Sequence, residues 1–101
     1  MTLQEITDQI RTRATHADSL NAVVKIATDQ GSILIDAKQS PAIISNDDRP
    51  ADCTIQISID DLLKMGSGDM NPMMAFMTGK LKVQGDMSLA MKMSQVLDST
   101  L

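Results

Sequence analysis

The sequence predicts an α+β fold in two layers, with helices covering one face of a five-stranded, mainly antiparallel sheet. The first observation is that apolar residues switch between helical spacing and strict alternation several times along the 101 residues. The second is the resulting order of elements: a helix, four strands, two short helices, a fifth strand and a closing helix. The third is a composition of 43% apolar and 22% charged residues, which is typical of a globular chain. We therefore expect residues 1–101 to form a single domain with one core.

The N-terminal segment is predicted to be a helix that runs to about Thr15. Thr2 and Glu5 form a capping-box pattern, in which each side chain can accept a hydrogen bond from the other residue's backbone N–H. The apolar residues that then recur at helical spacing are Leu3, Ile6, Ile10 and Ala14.

The next segment alternates with a period of two and predicts three strands. The first starts at Leu20 and has one apolar face, made of Leu20, Ala22, Val24 and Ile26. Turn residues at 29–32 separate it from a second strand, Ile33 to Lys38. Ser40-Pro41 breaks the chain, and the β-branched segment Ala42 to Ser45 predicts a short third strand before a polar loop.

The fourth strand shows the clearest alternation in the chain. Its apolar positions are Cys53, Ile55, Ile57 and Ile59, and the residues between them are polar. This pattern is typical of a sheet with one solvated face. Ser58 and Asp61 then predict the start of a short helix, which Gly66 is expected to end in a left-handed conformation.

The last third of the chain predicts a helix, a strand and a final helix. Asn71 as N-cap and Pro72 at the first helical position favour a helix over 73–78, with Gly79 as its stop. Lys80 to Gln84 alternates as a fifth strand. Asp86 is expected to cap a last helix, whose apolar stripe consists of Met87, Leu89, Ala90, Met91, Met93, Val96 and Leu97.

Charge and cysteine content exclude several classes of protein. A formal net charge of -4 argues against a nucleic-acid binder, because such proteins cluster Lys and Arg on one face. Cys53 is the only cysteine, so the chain forms no internal disulfide and is compatible with a reducing compartment. The first residues lack a secretory signal, and no apolar run is long enough to cross a bilayer. The expected location is the cytoplasm.

No group of residues predicts a catalytic centre, a metal site or a bound cofactor. His16, the only histidine, has no nucleophile or metal-ligand spacing near it and is expected at a solvated helix end. Asp60-Asp61 falls in the first turn of a helix, where negative charge is favourable. The glycines near residues 66–68 and 79 lack the rest of a phosphate-binding motif. The sequence therefore predicts a protein that is not an enzyme.

Methionines are concentrated in the C-terminal part of the chain. Eight of the nine lie between Met65 and Met93, and Phe76 is the only aromatic residue. Flexible thioether side chains fill gaps in ordinary cores, but they also line surfaces that repack around apolar guests of different shapes. If the last two helices and the sheet do not meet fully, the gap between the layers becomes a pocket.

The same region resembles the sterol carrier protein type 2 family. The matching segments are Asn71-Pro72, Ala75-Phe76-Met77, Gly79-Lys80-Leu81-Lys82 and Gly85-Asp86-Met87. Upstream, the family's fourth strand and following helix are similar to Ala51-Asp52-Cys53-Thr54-Ile55 and Asp60-Asp61-Leu62-Leu63. The resemblance is strong over residues 51–97, whereas residues 2–45 match mainly in the order of elements.

The resemblance implies a five-stranded α+β domain with an apolar tunnel between the sheet and the C-terminal helices. In the family this tunnel takes up sterols, fatty acids, acyl-CoA esters, phospholipids or isoprenoids, and no catalytic residues come with it. Members occur as free-standing carriers, as terminal domains of peroxisomal enzymes and as bacterial accessory proteins for isoprenoid lipids. Ser99-Thr100-Leu101 departs from the peroxisomal Ser-Lys-Leu type of address. The chain also lacks the aromatic pocket residues common in relatives, so the identity of the lipid stays open. A bacterial-type cytoplasmic protein or a fragment is favoured.

We therefore expect an intracellular protein that binds or transfers a sterol, fatty acid, fatty acyl-CoA or isoprenoid lipid. Each CH₂ hidden from water is worth about 0.8 kcal/mol, so enclosing a ten-carbon stretch offers about 8 kcal/mol before ordering costs. On the helical side, the residues expected to line the tunnel are Met73, Phe76, Met77, Met87, Ala90, Met91 and Leu97. On the sheet side they are Val24, Ile26, Leu34 and Ile57.

Two further expectations concern partners. The expected ligand is an apolar or amphipathic lipid. The sequence is also compatible with transient contact with a membrane and with an unknown partner enzyme. Nucleic acid is excluded as a partner. The alternative is a non-catalytic regulatory or protein-interaction module with a closed pocket, because Met-rich surfaces also suit varied protein contacts. Lys80, Lys82 and Lys92 are expected to be solvated surface charges, or else to contact a lipid head group.

Overall fold

The computed structural model describes residues 2–13, 20–39 and 42–97, with the side chains of all of these except 13 and 94–97. The helices are α1 (Leu3–Arg13), α2 (Ile59–Gly66), α3 (Pro72–Met77) and α4 (Met87–Leu97). The strands are β1 (Val23–Thr28), β2 (Gly31–Asp36), β3 (Ile43–Ser45), β4 (Cys53–Ile57) and β5 (Leu81–Gly85). The predicted α+β class and order of elements are confirmed. The expected helix end at Thr15, His16 and the side chain of Leu97 lie outside the described residues.

Within the described ranges the strands form one mixed sheet in the order β3-β2-β1-β4-β5. The β1–β4 pair is parallel, and the other neighbouring pairs are antiparallel. The parallel pair arises because the chain leaves β1 through a hairpin with β2, adds β3 outside it and crosses back to the other side of β1. The sheet is thus mainly antiparallel, as predicted.

One face of the sheet, named the inner face, carries apolar side chains from every strand. The register aligns Val24 with both Ile35 and Cys53, so alternate residues of neighbouring strands lie on the same side. The inner face consists of Val24, Ile26, Ile33, Ile35, Ile44, Cys53, Ile55, Ile57, Leu81 and Val83. The helical side chains in the same buried cluster are Ile6, Ile10, Ile59, Leu62, Met65, Ala75, Leu89, Ala90 and Met93. The helices therefore cover the inner face.

The first two helices begin with side-chain caps at the predicted positions. The Glu5 N–H donates to Thr2 Oγ1 at 3.2 Å, and the Thr2 N–H donates to Glu5 Oε1 at 3.3 Å. In α2 the Asp61 N–H donates to Ser58 Oγ at 3.2 Å. Each cap satisfies a backbone donor that a helix leaves free at its start.

The remaining helices follow the same rule. Asn71 Oδ1 accepts from the Met73 N–H at 2.8 Å at the start of α3, and Gly79 follows that helix with a φ of +79°. Asp86 Oδ1 accepts from the Ser88 N–H at 2.9 Å at the start of α4. The predicted starts of both helices and the stop after α3 are confirmed.

The end of α2 differs from the prediction. Gly66 is buried in the last turn of the helix, and the left-handed conformation falls on Gly68, whose φ is +86°. Between them the Ser67 N–H donates to the Leu63 carbonyl oxygen at 3.0 Å. The helix runs one residue longer because buried Gly66, next to the core residue Met65, continues the packed turn.

Several strand boundaries also differ from the predicted ones, by one to three residues. Asn21 has a φ of +48°, which interrupts extended backbone, so β1 begins at Val23 and not at Leu20. The hairpin turns over residues 29–30 with Thr28 paired to Gly31, so β2 begins two residues before the predicted Ile33. β4 ends at Ile57 because Ile59 is already helical.

α1 is anchored at the β3 edge of the sheet, away from α4. The Arg11 guanidinium donates twice to the Ile44 carbonyl oxygen, at 3.1 and 2.6 Å. Asn46 Nδ2 donates to Thr7 Oγ1 at 2.9 Å and to the Ser32 carbonyl oxygen at 3.0 Å. Of the helices described, none has the length and apolar character needed to span a bilayer.

Candidate functional site

The layer between α4 and the sheet is the candidate lipid site. α4 contacts β4, β1 and β5, and α3 contacts both β5 and α4. Val24, Ile26 and Ile57 from the sheet and Ala90 from α4 belong to one buried cluster. Met91, the next residue of α4, is half-buried. The structure thus brings together four of the predicted wall residues in this cluster.

The side chains that fill this layer are apolar. β1 and β4 contribute Val24, Ile26, Cys53, Ile55 and Ile57, and α4 contributes Leu89, Ala90 and Met93. Among the described residues the buried polar side chain is Thr7, on α1, and its hydroxyl donates to the Leu3 carbonyl oxygen at 2.8 Å. In the same ranges, no group of three His, Cys, Asp or Glu side chains could hold a metal ion. Such a layer suits a hydrocarbon chain better than a polar substrate.

The large apolar side chains of α3 lie at the surface. This set, named the methionine face, consists of Met73, Met74, Phe76 and Met77, which are 40% to 73% exposed. Ala75 is the buried residue of this helix, and Met87 at the start of α4 is also exposed. The expectation that Met73, Phe76, Met77 and Met87 form an inward-facing wall does not match these positions. Because the small Ala75 faces the core, helical geometry turns its neighbours outward; their contact with a ligand stays a prediction.

Leu34 lies on the outer face of the sheet, opposite to the candidate site. It pairs with Lys25 of β1 and Ser45 of β3, yet it is fully buried. The expectation that Leu34 shares a wall with Val24 and Ile26 is wrong. A shift of one residue along a strand moves a side chain to the other face, and residues 33–35 are apolar on both faces.

A cleft of about 380 Å³ opens near the ends of β1 and β4 and the start of β5. Its lining residues are Ala27, Thr28, Asp29, Gln56, Ile57, Ser58, Gly79, Lys80 and Lys82. Ala27, Gln56 and Lys82 are cross-strand neighbours on the outer face. The cleft is therefore distinct from the apolar layer under α4. Sequence patterns did not predict it, because its residues come together only through strand pairing.

Ion pairing divides the described basic side chains into two groups. Those before α2 each lie 2.8 to 3.9 Å from a carboxylate; they are Arg11, Lys25, Lys38 and Arg49. Those from α2 onward make no ion pair within the described part of the chain; they are Lys64, Lys80, Lys82 and Lys92. Positive charge is thus neutralised around the first strands and left free around α3, β5 and α4.

Cys53 lies on the inner face and is fully buried. Burial raises the pKa of its thiol, and the negative charge of Asp86 raises it further. The thiolate, which is the reactive form, is therefore disfavoured. Cys53 acts as a small apolar core residue, as its isoleucine neighbours predicted.

The predicted wall residues leave out five residues of the buried layer: Cys53, Ile55, Leu81, Leu89 and Met93. Leu89, Ala90 and Met93 form the inward side of α4, whereas Met87 lies outside it. The spacing of the α4 residues could have indicated this side, because Ala90 and Met93 lie one and four positions after Leu89, as on one face of a helix. However, the apolar residues of α4 surround most of the helix, so the pattern alone did not show which of them face the sheet.

Comparison with known proteins identifies the family to which these features belong. The model of the SCP-2 sterol transfer family matches residues 3–98. Sterol carrier protein 2 of Oryctolagus cuniculus is 45% identical over 64 residues, which are 62% of this chain and 12% of that protein. The chain therefore matches only a small part of the length of such relatives.

Solved structures share the fold. Sterol carrier protein 2 of Yarrowia lipolytica, in its apo form, has a TM-score of 0.78 at 23% identity, covering 91% of this chain and 86% of that one. Sterol carrier protein 2 of Aedes aegypti, in complex with palmitate, has a TM-score of 0.70 at 19% identity, covering 100% and 99%. The described arrangement of helices on a five-stranded sheet is thus one that these proteins have in common.

Proposed function

This chain belongs to the SCP-2 sterol transfer family, and from that premise we propose that it binds and carries a lipid between α4 and the sheet. The ligand class is an apolar or amphipathic lipid: a sterol, a fatty acid, a fatty acyl-CoA or an isoprenoid. The Aedes aegypti relative was solved with palmitate, which makes a long-chain fatty acid the first ligand to test. The role needs no catalytic residue.

The observation that carries the proposal is that α3 and α4 each bury an alanine against the core. Ala75 and Ala90 are each 1% exposed, while the larger side chains of the methionine face stay in solvent. On α4 the buried Ala90 is flanked by the larger buried residues Leu89 and Met93. An alanine gains less dispersion energy from its neighbours than a leucine does, so moving α3 and this part of α4 away from the sheet costs less than it would with large residues throughout. An acyl chain that enters the gap hides its CH₂ groups from water, which compensates for the separation of helix and sheet.

The predicted residues take three positions in this proposal. Val24, Ile26 and Ile57 form the floor, and Ala90 and Met91 form the roof. The entrance from solvent consists of Met73, Phe76, Met77 and Met87. Because the entrance residues are flexible thioethers with one aromatic ring, they can adapt to lipids of different shape.

The wider role follows from the chemistry of a carrier. A carrier collects its lipid from a membrane and delivers it to a membrane or an enzyme, so the proposal includes transient membrane contact and a partner enzyme. It also includes action in the cytoplasm as one domain over residues 1–101. The buried free thiol of Cys53 supports a reducing compartment.

Titration with a fluorescent long-chain fatty acid in solution tests the proposal, together with mass spectrometry of lipid extracted from the purified protein. Met91→Trp fills the gap from its half-buried side and is expected to weaken probe binding about tenfold, which corresponds to 1.4 kcal/mol. Because the Trp side chain occupies a gap, the free energy of unfolding in urea should fall only modestly, whereas overpacking a filled core would cost about 1 to 3 kcal/mol. The matched control is Ile43→Trp, because Ile43 is exposed on β3, outside the site. Binding by Met91→Trp with wild-type affinity, or a wild-type protein that binds no probe and carries no lipid, would contradict the proposal.

A further inference from the structure

The large apolar side chains of α3 are exposed to solvent, and its small alanine faces the core. A surface helix normally directs its large apolar residues to the core, but here Ala75 is buried while Met77 is 73% exposed and Met74 is 57% exposed. Soluble proteins seldom leave contiguous large apolar side chains in water unless that surface has a partner. Four such residues within six positions therefore point to a surface that is covered during function.

Two lysines without an ion pair among the described residues follow α3 in the chain, Lys80 just before β5 and Lys82 on that strand. The Lys80 N–H donates to the Ala75 carbonyl oxygen at 2.9 Å, which holds Lys80 against the C-terminal end of α3. Lys80 and Lys82 are exposed, line the same cleft and make no ion pair within the described residues. From Met70 to Met93, three lysines stand against the single carboxylate of Asp86, although the chain as a whole is acidic. Apolar and cationic residues are thus combined in the segment from α3 to α4.

We propose that the methionine face, with Lys80 and Lys82 at the start of the neighbouring strand β5, is the surface that docks on anionic phospholipid bilayers. The thioethers and Phe76 enter the apolar boundary of the bilayer, and the two ammonium groups contact lipid phosphates. The proposal deepens the proposed function, because it places the contact with the membrane at the entrance through which the lipid is exchanged.

The chemistry of the surface favours a bilayer over a protein partner. Protein interfaces are enriched in aromatic residues, Met and Arg and depleted in lysine. Methionines and Phe76 suit either kind of partner, but the charged residues next to this surface in the chain are lysines and not arginines. Methionines adapt to a fluid apolar phase that has no fixed shape. Each lysine near an anionic membrane is worth roughly a fivefold gain in binding. A second copy of the chain would bring like charges together, which disfavours self-association through this face.

Flotation of the full chain with vesicles tests the proposal. The vesicles are made of phosphatidylcholine alone or of phosphatidylcholine mixed with phosphatidylglycerol. Wild type should bind the anionic vesicles, bind the neutral ones much less and be released by salt, since screening weakens the attraction of the lysines. Met74→Gln should lower binding about tenfold through lost apolar burial. The pair Lys80→Gln and Lys82→Gln should lower it by roughly 25-fold at low salt.

Matched controls separate the surface from general charge and hydrophobicity. Ile43→Gln removes an equally exposed apolar side chain from β3, and Lys38→Gln removes an exposed charge at the opposite end of β4. Both should bind vesicles like wild type. Equal losses in the controls, equal binding to neutral vesicles, or unchanged binding of Met74→Gln and the lysine variant would overturn the proposal.

Two other outcomes separate this proposal from the carrier function. A wild type that binds the fatty acid probe in solution but ignores anionic vesicles refutes the docking surface and leaves the carrier function standing. If that wild type instead self-associates in sedimentation and Met74→Gln abolishes this, the face is a contact between copies and the membrane proposal fails. Vesicle binding that depends on Met74, Lys80 and Lys82 without any probe binding supports docking and refutes the carrier function. Met74→Gln should bind the probe in solution like wild type, because Met74 is not one of the proposed floor, roof or entrance residues.

Discussion

Asp52 and Val23 are joined by two hydrogen bonds at the start of the parallel β1–β4 pair. The Asp52 N–H donates to the Val23 carbonyl oxygen at 2.9 Å, and the Val23 N–H donates to Asp52 Oδ2 at 3.0 Å. The bond from Val23 holds the pKa of the Asp52 carboxyl below its ordinary value, and the positive charge of Lys38, at 3.7 Å, acts in the same direction. The ionised carboxylate thus supports the strand pair that forms the floor of the candidate site.

Asp52→Asn should lower the free energy of unfolding at neutral pH, because an amide accepts a weaker hydrogen bond than a carboxylate. The folded pKa of Asp52 lies below its unfolded value of about 3.9. The stabilisation is therefore complete above the unfolded value and is lost as the pH falls through the folded one. Urea unfolding at a series of pH values should show wild type and variant converging in strong acid. A difference that stays constant across the series would contradict this account.

Gly85→Ala should destabilise the fold far more than Gly79→Ala. Gly85 has a φ of +94°, and a Cβ there would lie 2.5 Å from the Asp52 carbonyl oxygen. Gly79 has a φ of +79° but nothing within 4 Å of the added carbon. The free energy of unfolding of Gly79→Ala should fall by about 1 to 2 kcal/mol, the cost of holding an alanine in a left-handed conformation. In Gly85→Ala the backbone must also move to make room for the Cβ, so the free energy of unfolding should fall by about 3 kcal/mol or more. Equal losses in thermal or urea unfolding would show that the close approach to Asp52 is unimportant.

Cys53 should make the protein less stable in alkali. Its pKa is higher in the folded state than in the unfolded state, where a thiol titrates at about 8.5. The protonated thiol therefore makes its full contribution to the free energy of unfolding below about pH 8.5, and this contribution is lost as the pH rises through the pKa of the folded state. The urea midpoint should fall above about pH 8.5, and Cys53→Ala should remove that part of the fall. In native protein the thiol should react with an alkylating reagent only as fast as the structure opens. Rapid reaction without denaturant would contradict the burial of Cys53.

Leu34→Ala should be costly although Leu34 lies outside the helical layer. A fully buried leucine typically loses about 2 to 5 kcal/mol on truncation to alanine. Ile43→Ala, at an exposed position on the same outer face, is the matched control and should change stability by about 0.5 kcal/mol or less. Because Leu34 is not part of the candidate site, the fatty acid probe should bind Leu34→Ala with unchanged affinity under conditions where it stays folded. A loss of binding in the folded variant would place Leu34 back in the site.

The starts of the helices and the alternation of β4 followed from the sequence because their causes are local. Thr2 with Glu5, Ser58 with Asp61 and Asn71 with Met73 are each two or three residues apart, so the caps are visible in the chain. The family likeness came from a similarly local stretch after residue 50. These features account for the α+β class and the order of elements.

The faces of the elements could not be obtained in the same way. Residues 33–35 are apolar throughout, and only the pairing of Leu34 with Lys25 decides that it points away from α4. In α3, Ala75 and not a methionine faces the core. Lys82 reaches the outer cleft because β5 pairs with β4. By itself the sequence determined where the helices begin and what type the elements are, since hydrogen bonds within a few residues set the helix starts and local alternation sets the strands, and its motifs indicated the family. Only the tertiary structure decided which side of each element is buried, because strands distant in the chain set the register and several apolar faces compete for a small inner surface.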